Sequence, residues 1–176
     1  MIQCRKIKLE DSNSLHRYFE DLSPETKGYF APHPFDFDTI TSICNENYKD
    51  YLAFVCTKDD QIAGYTVVKR SLSESESDRV FKYPALIDTE TDYLLAPSVA
   101  DAFQSQGIGS TLFHFVETEL MKLGARKIVL WGGVQKRNQR AVQYYLKNGF
   151  ETFGAFHSNG LNNLDMLKHL DDKAPN

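Results

Sequence analysis

The feature that most constrains this chain is a change of period around residues 104–110. Gln104, Ser105, Gln106, Gly107, Ile108, Gly109 and Ser110 follow an extended stretch at 93–100 that is broken by Pro97. From Gly107 to Leu123 the apolar residues Ile108, Leu112, Phe115, Val116, Leu120 and Met121 fall on one side of a helix, and Gly124 supplies a stop. Two closely spaced glycines between a strand and a helix allow close backbone approach. The amides of a first helical turn point outward and can hold phosphate oxygens, as in a pyrophosphate cradle. A plain structural turn is the competing reading. The stretch lacks the Gly-Lys-Ser/Thr ending of a nucleotide P-loop and the third glycine of the dinucleotide fingerprint.

Elsewhere the pattern alternates between strand and helix. Residues 2–9 are expected to form a strand. A helix capped by Asp11 or Ser12 follows, with Leu15, Tyr18, Phe19 and Leu22 on its apolar side. The Pro- and aromatic-rich residues 22–37 exclude one continuous helix, so a short helical turn and a second helix at 38–45 are expected. Residues 51–57 and 61–69 form a hairpin across a polar turn. The Ser- and acid-rich residues 71–78 are expected to be a solvent-facing loop. Strands at 127–131, 150–156 and 164–170 and a helix at 138–147 complete a mixed α/β order without repeats.

With 176 residues the chain is read as a single domain, 1–176. Its formal charge of −4 argues against nucleic acid and anionic membranes as partners. Cys4, Cys44 and Cys56 are far apart and show no metal-ligand spacing, so no metal is expected and a reducing compartment is the economical reading. Charges within the first positions argue against an export signal, and no apolar run suits a membrane span; a cytoplasmic location is expected.

Residues 104–110 resemble the acyl-CoA pyrophosphate signature of the GNAT superfamily of N-acetyltransferases, Arg/Gln-x-x-Gly-x-Gly/Ala. Val99 and Phe103 match its preceding apolar positions, and Asp101 stands where members often carry proline. A second block matches independently: Asn138, Ala141, Tyr145, Gly149 and Phe150 follow Asn-x-x-Ala-x-x-x-Tyr-x-x-x-Gly-Phe. On one helix Asn138 and Tyr145 share a face about 10 Å apart, with Ala141 between them leaving room for a narrow ligand.

The resemblance implies a mixed sheet flanked by helices, with acetyl-CoA as cosubstrate between two parallel central strands that splay near 96–100 and 127–134. It gives Gln104, Ser105, Gln106, Gly107, Ile108, Gly109, Ser110, Asn138, Ala141 and Tyr145 to the cofactor. Val99 lends a backbone N–H to the cofactor and to the oxyanion. Tyr145 is the proton donor to the departing thiolate; a core aromatic with a satisfied hydroxyl is the other reading of that residue.

Transfer to an amine also needs a proton acceptor. Where many relatives carry a glutamate this chain has Tyr93, so Asp92, Glu90 and His33 are the candidate bases, each with a solvated or loop-ordering alternative. Tyr29, Phe30, His33, Tyr93 and Trp131 are candidate acceptor-site residues, and the aromatic and polar wall around Ser23, Glu25 and Phe35 suits a small amphipathic amine. Trp131 also reads as a core residue, beside a Gly132-Gly133 pair that permits a bulge. Two further readings stay open: a non-catalytic acyl-CoA-binding or regulatory module, and a peptide or protein N-acetyltransferase. A homodimer is also compatible.

Overall fold

The computed structural model describes residues 1–30, 32–70, 79, 82–83 and 87–170. The loop expected at 71–78 lies outside them. The chain divides into two compact units, Met1–Lys69 with Leu95–Thr118, and Arg70–Leu94 with Glu119–Asn176.

The first unit is built on strands β1 (Ile2–Lys6), β2 (Tyr51–Lys58), β3 (Gln61–Lys69) and the latter part of β4 (Asp92–Val99), adjacent in that order. β1 and β2 are antiparallel, as are β2 and β3. Asp59 and Asp60 connect β2 to β3, both at positive φ (51° and 62°). This is the double left-handed geometry of the tight hairpin turn, which Asp tolerates better than most residues. Pro97 fits within β4 because of strand phase. Ala100 N–H donates to Ala63 O at 3.0 Å, so alternation turns the main-chain groups of Ser98 and Ala96 toward β3 and those of Pro97 and Val99 toward the opposite edge. The missing proline donor therefore costs no bond to β3.

Helices α1 (Ser12–Asp21), α2 (Pro24–Gly28), α3 (Phe37–Cys44) and α4 (Ile108–Lys122) complete the unit, the last turn of α4 being counted with the second. Asp11 stands at the N-cap of α1 without making the expected side-chain cap bond. Its carboxylate instead takes Arg5 at 2.6 and 2.8 Å and Lys8 N–H at 2.8 Å. Ser23 and Asp36 do cap, each accepting an N–H three residues on, which typically stabilises a helix start by about 1 kcal/mol. Leu15, Tyr18, Phe19 and Ile40 are buried from the helices, and Phe19 packs on Phe30, His33, Phe35 and Tyr65 at ring-centre distances of 4.5–5.6 Å. α4 ends as expected, with Gly124 at φ +80° and Ala125 N–H returning to Leu120 O.

In the second unit the order is β4, β5 (Lys127–Leu130), β8 (Leu161–His169), β6 (Val134–Gln135), with β7 (Glu151–Ser158) antiparallel to β8. Helix α5 is Gln139–Lys147. Leu94, Val129 and Leu167 form a buried cluster against which Ile87, Trp131 and Phe153 pack. Arg79 pairs with Asp165 at 2.7 Å and lies 4.3 Å from the Phe156 ring centre. Two expectations need correction here. β8 begins three residues earlier than expected, and the two-residue β6 was not anticipated. Gly132 and Gly133, both at positive φ, turn the chain into β6.

Candidate active site

The phosphate-loop candidate belongs to the first unit. Gly107 is exposed at φ +81° with open space where a Cβ would stand, and it opens α4. Its carbonyl accepts the first intrahelical N–H, from Thr111 at 3.0 Å, so the amides of 108–110 come before the helix's own ladder begins. Ser105 is also left-handed, at φ 60°. Ile108, expected among the cofactor contacts, has its side chain in the core at 1% exposure, so only its backbone can serve.

Side chains around the loop brace it. Gln104 Nε2 donates to Val99 O at 3.2 Å, tying the loop to the end of β4. Gln106 Nε2 donates to Ala102 O at 2.8 Å, and its Oε1 accepts Lys58 Nζ at 2.7 Å. Lys58 was not singled out in the sequence; hairpin register alone carries its cation from the end of β2 to this loop. Val99 has its carbonyl occupied by Gln104, and strand phase leaves its N–H on the edge turned away from β3. That amide can serve an oxyanion or a pantetheine carbonyl.

Asp101, met in the sequence only as a departure from the family's proline, is the other group whose role the sequence did not show. Its carboxylate accepts Ser23 N–H at 2.9 Å, Ser23 Oγ at 2.9 Å and Thr26 Oγ1 at 2.7 Å. Partial burial raises its pKa, but these hydrogen bonds outweigh that and hold the carboxyl below its ordinary range.

The second motif block lies in the second unit. Asn138 is the N-cap of α5, its Oδ1 accepting Ala141 N–H at 3.1 Å, which holds the side chain so that its amide hydrogens can be offered to a ligand. Tyr145 is 9% exposed, with the rings of Tyr144 and Phe150 at 5.1 and 5.3 Å. Burial pushes its phenol pKa well up, which keeps the proton in place as a donor requires. The Gly149-Phe150 pair has a mechanical role: Gly149 takes φ +85° and Phe150 N–H returns to Tyr145 O at 3.0 Å, closing the helix that carries Tyr145.

The base candidates are placed less favourably. Asp92 is buried and accepts Asp88 N–H at 2.8 Å, Lys127 Nζ at 3.1 Å and Thr91 Oγ1 at 3.3 Å. Glu90 is exposed in the turn before β4. His33 is 5% exposed, and its Nδ1 donates to Pro34 O at 2.7 Å; its Nε2 is then the acceptor from Tyr65 Oη at 3.0 Å. Burial lowers its pKa and favours the neutral imidazole in the core.

Among the acceptor-wall residues, Phe30 lies in the same aromatic interior as His33. Half-buried Tyr29 donates to Glu25 at 3.1 Å. Tyr93 is buried, with Arg70 over its ring, and Trp131 is half-buried against the second unit's core. Among the described residues no group of three or more His, Cys, Asp or Glu side chains is placed to hold a metal ion.

This architecture is that of solved acetyltransferase structures. The chain is similar to the GNAT domain of PAT from S. lividans, with TM-score 0.75, 19% identity, and 96% of this chain and 90% of that one covered. It is likewise similar to an N-acetyltransferase from Staphylococcus aureus Mu50, with TM-score 0.76, 17% identity and 97% and 99% covered. A third is yncA of Salmonella typhimurium, solved with its cofactor acetyl-CoA, with TM-score 0.74, 16% identity and 100% and 98% covered. The model of the acetyltransferase (GNAT) family matches residues 15–150, and the chain belongs to that family. In sequence it is 30% identical over 95 residues to an uncharacterized N-acetyltransferase of the pepI 3′ region of Lactobacillus delbrueckii subsp. lactis. That match takes in 54% of this chain, and the chain spans about half the length (49%) of that relative.

Proposed function

We propose that this chain is an N-acetyltransferase that moves an acetyl group from acetyl-CoA to the amine of a small molecule by direct attack. The amine nitrogen bonds to the thioester carbonyl carbon as the carbon–sulfur bond breaks. Tyr145 gives its proton to the thiolate, and the surplus amine proton passes to water. The observation that carries the reading is the head of α4, where Gly107 at φ +81° leaves open space before the helix's first amides in a chain of the GNAT family. Lys58 at Gln106 adds a positive charge beside that loop, favouring an anionic ligand. The Val99 amide is the proposed oxyanion donor.

A second reading, an acyl-CoA-binding module without transfer, draws support from the base candidates: Asp92 is engaged by Lys127 and Asp88, and His33 by Tyr65 and Pro34. The test is thiol release from acetyl-CoA against a panel of small amines, amino acids, amino sugars, polyamines and peptides, with product mass measured. Release that requires a small amine and yields a product heavier by one acetyl group supports transfer. Tight acetyl-CoA binding without acceptor-dependent release favours the binding module, and release with peptides alone favours a peptide or protein acceptor.

The proposal includes a cytoplasmic location and no nucleic-acid or membrane partner, a reading supported by the net charge of −4. A homodimer is the assembly to look for by light scattering.

A further inference from the structure

Cys4 and Cys56, fifty-two positions apart in sequence, are direct cross-strand partners in the β1–β2 ladder. The phase of that ladder is fixed by Ile7 N–H donating to Ala53 O at 3.0 Å. Alternation back from Ile7 makes Arg5 opposite Val55 a hydrogen-bonded pair and Cys4 opposite Cys56 a non-hydrogen-bonded one. In such a pair the Cα atoms approach to about 4.5 Å and both side chains leave the same face of the sheet, within the range a disulfide spans. The two side chains are therefore neighbours across the ladder. Cys4 is half-buried on the outermost strand, whereas Cys56 has no exposure. Cys56 also faces Gly64 across β2–β3, and the open side of Gly64 is packed by Ile108 and Leu112 of α4.

We propose that Cys4 and Cys56 are a dithiol oxidation site that closes to a reversible disulfide when a hydroperoxide reaches Cys4. The Cys4 thiolate attacks the peroxide oxygen, the O–O bond breaks, and the alcohol or water leaves with a proton, giving a sulfenic acid at Cys4. The Cys56 sulfur then attacks the Cys4 sulfur; the S–S bond forms, the S–O bond breaks, and the departing hydroxide takes the Cys56 proton as water. Two thiols lose two electrons and the peroxide gains them. Division of labour follows from the pairing and from the difference in exposure. The neighbouring Cys56 side chain holds the Cys4 thiol below its ordinary pKa against the opposing effect of burial, whereas Cys4 and burial together push Cys56 up. Cys44 is a bystander, its thiol pushed up to about 11 by burial. The site stands independently of acetyl transfer.

The test is to treat the reduced full-length protein with hydrogen peroxide, then measure its intact mass, count alkylatable thiols after denaturation, and map peptides without reductant. The expected result is a loss of two hydrogen atoms, one remaining thiol at Cys44, a linked Cys4–Cys56 peptide pair, and full reversal by dithiothreitol. Cys4→Ser should abolish the link. All three thiols surviving, oxygen adducts accumulating on Cys4 without a link, or a bridge that uses Cys44 would each overturn the proposal. The wild-type measurement decides the matter even if a variant fails to fold.

Discussion

Asp101 holds Ser23 twice, accepting its backbone N–H on Oδ2 and its hydroxyl on Oδ1, both at 2.9 Å. Seventy-eight positions separate the two residues, and the contact fixes the start of α2 to the turn that leads into the Gln104–Gly107 loop. Asp101→Ala removes these acceptors. Each lost hydrogen bond is worth about 1 kcal/mol; if the equivalent of one of them reaches the loop, acetyl-CoA affinity should fall about fivefold. Calorimetric titration with acetyl-CoA measures this, and an unchanged Kd would show that the clamp serves α2 alone.

Tyr145→Phe keeps the ring that packs on Tyr144 and Phe150 and removes only the hydroxyl. If the phenol donates the leaving-group proton, kcat should fall by at least about a hundredfold while the Kd for acetyl-CoA moves less than about twofold. Equal losses in both would count against that role.

Two glycines should respond differently to alanine. Gly107 has open space but a left-handed φ of +81°, so Gly107→Ala should cost about 1–2 kcal/mol of backbone strain and chiefly weaken acetyl-CoA binding. At Gly133 a Cβ would stand 2.6 Å from Leu164 O and 2.9 Å from the Phe156 ring, on top of a φ of +69°. Gly133→Ala should therefore destabilise more, lowering Tm beyond the Gly107 variant in the same melting experiment.

His33 gives a pH dependence of known sign. Burial lowers its pKa, opposed by the Pro34 carbonyl and Asp36, so the folded state holds imidazole neutral where the unfolded chain would protonate it. Stability from this group is full above the unfolded value of about 6.5 and declines as pH falls toward the lowered folded pKa. Tm should fall as pH drops below about 6.5 in the wild type, and the drop should be smaller in His33→Gln.

Arg79→Met tests the buried ion pair of the second unit. Burial raises the Asp165 pKa and the Arg79 guanidinium opposes it, so removing Arg79 leaves an uncompensated buried carboxylate. A loss on the order of 3 kcal/mol is expected. Because a raised carboxyl pKa means that stability is lost as pH rises through it, the defect should be larger at pH 8 than at pH 5. Urea melts at the two pH values check this.

The sequence by itself determined the parts whose signal is local. The period change at Gly107 marked α4, the polar turn at Asp59 and Asp60 marked the β2–β3 hairpin with β3 at its observed bounds, and the Asn138-to-Phe150 spacing marked α5 and its closing turn. Each depends on residues within a turn or two of one another, where steric preference and apolar period act directly. β6 and the early start of β8 escaped because β6 is two residues long and Asn162 and Asn163 interrupt the apolar pattern that would announce the strand.

Tertiary structure alone decided the long-range chemistry. Strand register set Cys56 against Cys4 and carried Lys58 to Gln106, while packing closed His33 among Phe19, Phe30 and Tyr65 and committed Asp92 to Lys127. A residue's type states which bonds it can make. Which partner it meets is fixed by ladder phase and by the need to satisfy every buried polar group, and both belong to the folded chain as a whole.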